Sequence, residues 1–394
     1  MSKSPGLRNT RQQGRRTPCT TYRLQFNAGF TFKDATKLLP YLKELGITDC
    51  YASPLFKATP ESKHGYDVCD FQVLNPNLGT EDDFNEFTSR LRELGMGLVL
   101  DLVPNHMGMN LSNRWLFDVL ENGQQSPFAS YFDIDWQPLK SDLHDKIILP
   151  ILGDHYASVL EKGELQLVWD DDTLKIAYFD KMFPVSPASS TPILENVMNE
   201  LGAGSQAISS QIKAIISDAE DSNSNKLRLS SWKLALRQLH NESHSLQQAI
   251  QTVLGRINGN VDSPQTFNVL HDLLQKQHYR LAYWKVGPQE INYRRFFDVN
   301  ELISVRMESA DVFAAAHELV IRWLAERESN RFAGRSSGRP LESGTVSRPA
   351  AKYIPQKPIQ DRFRLSPSLC SGRKNTHERR ASSRGLAGGW DHRL

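Results

Sequence analysis

The sequence has few cysteines, no long apolar run and almost no net charge, and each of these absences excludes a class of protein. The four cysteines are far apart and form no CxxC pair, so their spacing supports neither a zinc site nor a disulfide framework. No apolar stretch approaches the roughly 20 residues that cross a bilayer. The basic N-terminus also lacks the apolar segment of a signal peptide. We therefore expect reduced thiols, a cytoplasmic location and no membrane partner.

The charge and composition are those of an ordinary globular protein. A net charge of +2 gives no electrostatic reason to expect a nucleic-acid partner. The hydrophobic content of 39% over 394 residues is enough for one large α/β domain or two smaller ones. Residues 1–19 are basic and lack periodicity, so we expect a flexible arm there.

Strands and helices alternate after this arm. "TYRLQF" (21–26) predicts a strand, and the following helical pattern ends at Gly46, where a C′ glycine is expected. "ITDCYASPLF" predicts a second strand, and Thr80 is positioned to cap a second helix. "MGLVLDLVP" (96–104) is typical of a strand buried on both faces of a parallel sheet. This order predicts an α/β fold, since both a (β/α)8 barrel and a doubly wound sheet begin this way.

The alternation stops from about 106 to 300. This segment contains helical patterns such as "LHDLLQKQHYRLAYW" and short strand-like pieces such as "LQLVWDDDTLKIAYF". It is too long for an ordinary connection, so we expect a large, mainly helical inserted subdomain. A helix is expected within 301–327. Residues 328–394 are rich in Arg, Ser, Gly and Pro and show no period, so we expect disorder there.

Asp101 lies inside the third predicted strand, where a lone carboxylate is costly unless it is paired or used. It is either a satisfied structural acid or part of a site at the carboxyl end of the strand. Asn105 and His106 follow at the same end. The spacing Asp-x-x-x-Asn-His resembles the first signature of the α-amylase superfamily, whose catalytic domain is a (β/α)8 barrel. The resemblance implies that Asp101 and His106 hold a sugar at the subsite next to the cleaved bond.

A second group of polar and aromatic residues follows the second strand. "SKHGYDVCDF" places His64, Tyr66 and Asp67 in one loop. The ring of Tyr66 either stacks on a sugar face or anchors the loop, with Gly65 supplying a turn. Asn105 has a calcium-ligand counterpart in some amylases, but no cluster of oxygen ligands accompanies it here. We therefore expect no metal and no cofactor.

Three longer segments extend the resemblance: "KIILPILGDHYASVLEKGELQL", "YFDKMFP" and "HYRLAYWKVGPQEINYRRFFDVNELISVRMES". They resemble the maltooligosyltrehalose synthase family, over residues 20 to about 326. The resemblance implies the first three strands of a (β/α)8 barrel in 20–105, the insertion in 106–300 and a barrel helix in 301–327. It also implies maltooligosaccharide substrates, whose reducing-end α-1,4 linkage becomes α,α-1,1 by intramolecular transglucosylation. In "INYRRFFDVN", Arg294 and Arg295 either bind sugar hydroxyls or form a salt-bridged loop scaffold with Asp298.

The catalytic carboxyl groups implied by the resemblance are missing from the sequence as written. Retaining chemistry needs a nucleophile and an acid/base about 5 Å apart, and the family has them after the fourth and fifth strands. One set of synonymous codons for Glu328 onward, read one base later, gives "KVTGLRVDHPDGLWNPAQ", which is similar to the nucleophile segment. The same frame from Gly372 gives "VEKILTKGERLPADWPVDGTTGY", which is similar to the acid/base segment.

A frame shift near Arg327 therefore accounts for the unusual composition of 328–394, and a natural low-complexity tail is the alternative. We expect this chain to be inactive as written. The alternative function is that of a non-catalytic α-glucan-binding fragment. The basic residues of the tail lack the interleaved aromatics of a nucleic-acid site, so no such partner is expected.

Overall fold

The computed structural model describes residues 17–171, 173–201, 205–221 and 226–333. Most of the predicted basic arm, and the predicted out-of-frame tail from 334 onward, lie outside the described residues. The strands are β1 (Thr21–Leu24), β2 (Asp49–Ala52), β3 (Phe56–Ala58), β4 (Val68–Leu74), β5 (Gly97–Leu100), β6 (His106–Gly108), β7 (Ile147–Leu152), β8 (Leu165–Asp170), β9 (Thr173–Tyr178), β10 (Lys181–Pro184), β11 (Tyr279–Tyr283), β12 (Arg295–Phe296) and β13 (Val299–Ser304). The helices are α1 (Phe32–Glu44), α2 (Glu81–Glu93), α3 (Arg114–Asn122), α4 (Tyr156–Glu161), α5 (Pro187–Leu201), α6 (Gln206–Asp221), α7 (Lys226–Glu242), α8 (His244–Asn258), α9 (Asn268–Gln275), α10 (Gly287–Glu290) and α11 (Ala310–Ala333).

The predicted β-α-β-α-β opening is confirmed as a parallel sheet in the order β1-β2-β5, with α1 and α2 as the connecting helices. The backbone N–H of Asp83 donates to Thr80 Oγ1 at 3.2 Å, and that of Thr80 donates to Asp83 Oδ2 at 2.9 Å. This reciprocal pair satisfies backbone donors that the helix itself leaves free. Gly46 follows the end of α1 in the left-handed region, with φ 86°, as the sequence predicted.

The prediction that the third strand is buried on both faces was wrong. Every residue of β5 is partly exposed, whereas Leu24, Cys50 and Ala52 on one face of the sheet are buried. In the part of the chain that the structure describes, β5 pairs with β2 alone, so its other edge has no strand beside it. The apolar run thus predicted the strand correctly, but it did not predict how much of the strand is covered.

Residues 106–300 contain both helices and small sheets. Helices α5 to α8 contact one another, β8, β9 and β10 form an antiparallel sheet, and β7 pairs in parallel with β11. The strand-like piece at 165–179 is confirmed as the β8–β9 hairpin. The helix predicted at 270–284 is confirmed only in its first part, since α9 ends at Gln275. The rest of the prediction was wrong, because the alternating "YRLAY" forms β11.

The last strand of this region returns to its beginning. Strand β13 pairs antiparallel with β6, and Ser304 lies opposite His106. The two ends of the region are therefore side by side, as an inserted segment requires. This pairing also corrects the predicted helix at 301–327, since residues 301–304 are strand and α11 runs from Ala310 to Ala333. The helix continues past residue 327 because extending an existing helix adds one hydrogen bond per residue fixed.

Helix α11 packs on the first half of the chain through Trp323. Its indole is 8% exposed and lies 6.0 Å from the ring of Phe56 and 4.7 Å from that of Phe84, between centroids. Arg322 also forms an ion pair with Glu81, at 2.8 Å. Among the described residues, no helix is both long and apolar enough to cross a membrane.

We predict that Trp323→Ala lowers the free energy of unfolding by about 3–5 kcal/mol, because it leaves a cavity between two packed rings. Leu324→Ala on the same helix is the matched control. That side chain is 44% exposed, so its removal should change stability by no more than about 0.5 kcal/mol. Urea unfolding of both variants checks this. Equal losses would show that α11 does not pack through Trp323.

Candidate functional site

The register of the parallel sheet brings three polar side chains to one face. Arg23 on β1 lies opposite Tyr51 on β2, and Tyr51 lies opposite Val99 on β5. Because side chains alternate along a strand, Asp101, two residues after Val99, points to the same side. Arg23, Tyr51 and Asp101 are therefore neighbours at the carboxyl end of the sheet. Together with Tyr66 we call them the Asp101 cluster.

One oxygen of Asp101 accepts all the protein hydrogen bonds to this carboxylate. Oδ2 accepts from the hydroxyl of Tyr66 at 2.6 Å and from that of Tyr51 at 2.9 Å, and Arg23 Nη1 donates to it at 3.3 Å. The Asp101 side chain is 11% exposed. In the described part of the chain, Oδ1 accepts no hydrogen bond from protein groups. The carboxylate is thus satisfied as a structural acid and still offers one oxygen to a ligand hydroxyl.

His106 lies beside this cluster and is almost fully buried. Its Nε2 is 3.0 Å from the carbonyl oxygen of Tyr66, and its Nδ1 is 3.0 Å from Asn105 Oδ1. Burial lowers the pKa of His106 below its usual 6.5, so the ring is neutral at pH 7. A neutral ring donates through one nitrogen only, so Nε2–H donates to Tyr66. Nδ1 is then satisfied if the Asn105 amide turns its NH2 group toward it.

The loop between β3 and β4 holds Tyr66. Gly65 has φ 78°, the left-handed turn expected there, and the backbone N–H of Tyr66 donates to His64 Nδ1 at 3.0 Å. Asp67 accepts the hydroxyls of Thr59 and Ser62, so it anchors the loop from within. The rings of His64 and Tyr66 are stacked with centroids 6.0 Å apart. Tyr66 anchors the loop to the sheet through its hydroxyl, and its ring is partly exposed beside Asp101.

Arg294 and Arg295 make their contacts away from the Asp101 cluster. Arg294 Nε is 3.2 Å from Asp133 Oδ2, and Arg295 bonds to Asn300 Oδ1 at 2.5 Å and to Asp298 Oδ1 at 3.4 Å. Within the described residues, neither guanidinium hydrogen-bonds to the Asp101 cluster. Their contacts are those of the salt-bridged scaffold, which was the alternative interpretation of this motif.

The two aromatic residues after that pair do reach the site. The ring of Phe296 stacks on His106 with centroids 4.1 Å apart and planes 25° apart. Phe297 makes an edge-on contact with Phe296 at 4.5 Å and is 80% exposed. Its φ of 53° is unusual for a residue other than glycine, and such strain is common at functional sites. An aromatic surface therefore extends outward from His106.

Arg23, Tyr51 and Phe296 were missed as site residues by sequence reasoning. The first two could have been found by aligning the predicted strands in parallel register and following the period of two past Asp101. No sequence pattern could have found Phe296, since it contacts His106 only because β13 pairs with both β6 and β12. In the described ranges, no three His, Cys, Asp or Glu side chains are grouped so as to hold a metal ion.

Comparison with known proteins agrees with this geometry. The family described as the α-amylase catalytic domain matches residues 28–179. An intracellular maltogenic amylase of Bacillus subtilis is 37% identical over 108 residues, which are 27% of this chain and 18% of the relative. The fold and the site thus define a protein of the α-amylase class.

A longer match identifies the family within that class. A putative maltooligosyl trehalose synthase of Mycobacterium tuberculosis is 31% identical over 315 residues, covering 78% of this chain and 29% of the relative. The solved maltooligosyltrehalose synthase from Arthrobacter ramosus is 28% identical with a TM-score of 0.53, covering 84% of this chain and 36% of that one. Over most of its length the chain is therefore similar to the maltooligosyl trehalose synthase family. It spans less than a third of the length of the curated relatives it matches over most of its own length.

We predict that the folded chain loses stability as the pH falls from 7.5 to 5. Because the pKa of His106 is lowered in the folded state, the unfolded chain takes up the proton first below about 6.5. Burial lowers the pKa of His278 as well, and it contributes in the same direction. Thermal unfolding at the two pH values should show a smaller difference for His106→Gln than for the unchanged chain.

Proposed function

We propose that this chain is the first part of a maltooligosyltrehalose synthase catalytic domain and that the Asp101 cluster binds a glucosyl residue of an α-1,4-glucan. The observation that supports this most directly is the Oδ1 of Asp101, which accepts no hydrogen bond from the described protein groups, on a carboxylate whose Oδ2 is held by the Tyr66 hydroxyl. The ring of Phe296 lies close by, stacked on His106. A sugar offers hydroxyl donors and apolar C–H faces, so a site that combines a carboxylate oxygen with aromatic rings suits it. The reaction proposed for the whole protein converts the reducing-end α-1,4 linkage to α,α-1,1 by intramolecular glucosyl transfer.

We propose further that β1, β2 and β5 are the first three strands of a (β/α)8 barrel. The Asp101 cluster lies at the carboxyl ends of these strands, which is where active sites of such barrels are found. The unpaired edge of β5 is where a fourth strand would be added. Residues 106–300 are then an insertion after the third strand, and α11 is the helix that leads to the fourth.

The chain as written is proposed to be inactive because two carboxyl groups are needed. The reaction requires a nucleophile beneath the anomeric carbon and a proton donor for the leaving oxygen, about 5 Å apart. Asp101 is one carboxylate, and its Oδ2 already accepts three hydrogen bonds. A frame shift near Arg327 explains why the sequence contains neither catalytic segment. The cytoplasmic location and the absence of a nucleic-acid partner stay predictions.

We predict that maltopentaose gives a saturable calorimetric signal with this chain. Asp101→Asn should weaken binding at least about tenfold, because it removes the charge of the acceptor for the sugar hydroxyl. Asp82→Asn makes the same chemical change at an exposed position of α2 and should bind like the unchanged chain. Saturable binding without any product is expected of the chain as written, and a non-catalytic glucan-binding fragment would give the same result. The absence of binding by the folded chain would contradict both functions.

We also predict that the unrepaired chain makes no non-reducing product from maltopentaose. Deleting one base near codon 327, with the downstream part of the gene included, should restore the nucleophile and acid/base segments and with them the activity. Chromatography of the product and loss of reducing ends measure it. Product from the unrepaired chain would contradict the frame shift, and a repaired gene without activity would contradict the proposed reaction.

A further inference from the structure

We propose that Arg23 is the positioning residue of the sugar site, holding Asp101 and Tyr66 in the one arrangement that leaves Asp101 Oδ1 open to a glucosyl hydroxyl. This inference rests on the proposed glucan-binding function. It concerns a side chain on β1, far in sequence from the motifs that indicated the site. In this role Arg23 orients Asp101 and Tyr66 and does not itself contact the sugar.

The guanidinium joins two groups that come from different parts of the chain. Nη1 is 3.3 Å from Asp101 Oδ2 after β5, and Nη2 donates to the hydroxyl oxygen of Tyr66 at 3.2 Å in the β3–β4 loop. The hydroxyl of Tyr66 donates in turn to Asp101 Oδ2 at 2.6 Å, which closes a triangle of hydrogen bonds. Each of the three side chains is held by the other two. The β3–β4 loop therefore cannot move away from the sheet without breaking both hydrogen bonds of Tyr66.

The direction of each hydrogen bond in this triangle follows from chemistry. Arg23 has only donors, and ionised Asp101 has only acceptors. The single hydrogen of the Tyr66 hydroxyl must therefore point at Asp101, and its lone pairs accept from Arg23. Burial and the hydrogen bond to Asp101 raise the pKa of Tyr66, so it stays a donor above neutral pH. The hydrogen bonds thus hold the Tyr66 ring in one orientation beside Asp101.

Arg23 is itself held by two further contacts. Nη2 also donates to Gln25 Oε1 at 3.0 Å, and Gln25 Nε2 donates to the carbonyl oxygen of Lys63 at 3.2 Å, which ties β1 to the same loop. The guanidinium carbon lies 5.1 Å from the centroid of the Tyr51 ring, within the range of a cation–π contact. A planar fork that bonds to two partners at once is a property of Arg that Lys does not share.

A purely structural role fits the exposure of Arg23 less well. Its side chain is 37% exposed, and an ion pair at such a position contributes little to folding stability. All of its side-chain hydrogen bonds among the described residues go to Asp101, Tyr66 or Gln25. Removing it should therefore leave the fold intact while allowing Asp101 and Tyr66 to take up other rotamers. The loss should be seen in ligand binding, not in unfolding.

The test compares Arg23→Gln and Arg23→Lys with the unchanged chain, using maltopentaose in calorimetry and thermal unfolding as a second readout. Both variants should bind at least about tenfold more weakly, since Lys keeps the charge but cannot bridge both partners. Their Tm should match that of the unchanged chain. Arg90→Gln is the control, because Arg90 is similarly exposed (42%) and pairs only with Glu93 on α2.

A double-mutant cycle with Tyr66→Phe separates positioning from general weakening. If Arg23 acts through the Tyr66 hydroxyl, the affinity of the double variant for maltopentaose should be about that of the single variant with the lower affinity. Additive losses, full affinity in Arg23→Gln, or a fall in Tm that accounts for the lost binding would each overturn the positioning role while glucan binding stands. An unchanged chain that folds but does not bind maltopentaose would overturn the proposed function, and this inference with it.

Discussion

The partly buried charge of Asp101 is the constraint on which the arrangement of this site depends. A partly buried carboxylate at the end of a strand needs donors, and the parallel register of β1, β2 and β5 supplies Arg23 and Tyr51 on the same face. Tyr66 completes the set only because the β3–β4 loop folds back over the sheet. All three donors bond to Oδ2, so the charge is satisfied at that oxygen. The same geometry leaves Oδ1 without a hydrogen bond from the described protein groups.

The region between β6 and β13 adds the aromatic side of the site. Its ends pair with each other, and this pairing brings Phe296 onto the ring of His106. The guanidinium groups of Arg294 and Arg295, which suggested sugar contacts, bind nearby carboxylate and amide oxygens, and Arg295 bonds across the turn that contains Phe297 to Asp298. Charged residues in a motif can therefore stabilise the loop that positions the aromatic residues beside them.

Strand β5 is the element whose burial was predicted wrongly. Its apolar sequence predicted cover on both faces, and it is partly exposed in the structure. Among the described residues only β2 pairs with it, so its other edge is open there. Exposed apolar edges of this kind are prone to association.

The sequence by itself determined what depends on near neighbours in the chain. The capping pair of Thr80 and Asp83, the turn at Gly46, the strands of the opening sheet and the position of Asp101 at a strand end all follow from local spacing. Tertiary structure alone decided which side chains surround Asp101, which of its oxygens stays free, and that Phe296 and not Arg295 faces His106. These depend on strand register and on the pairing of β6 with β13, which are far apart in sequence. Contacts of that kind are set by packing between distant segments, and no short pattern of residues encodes them.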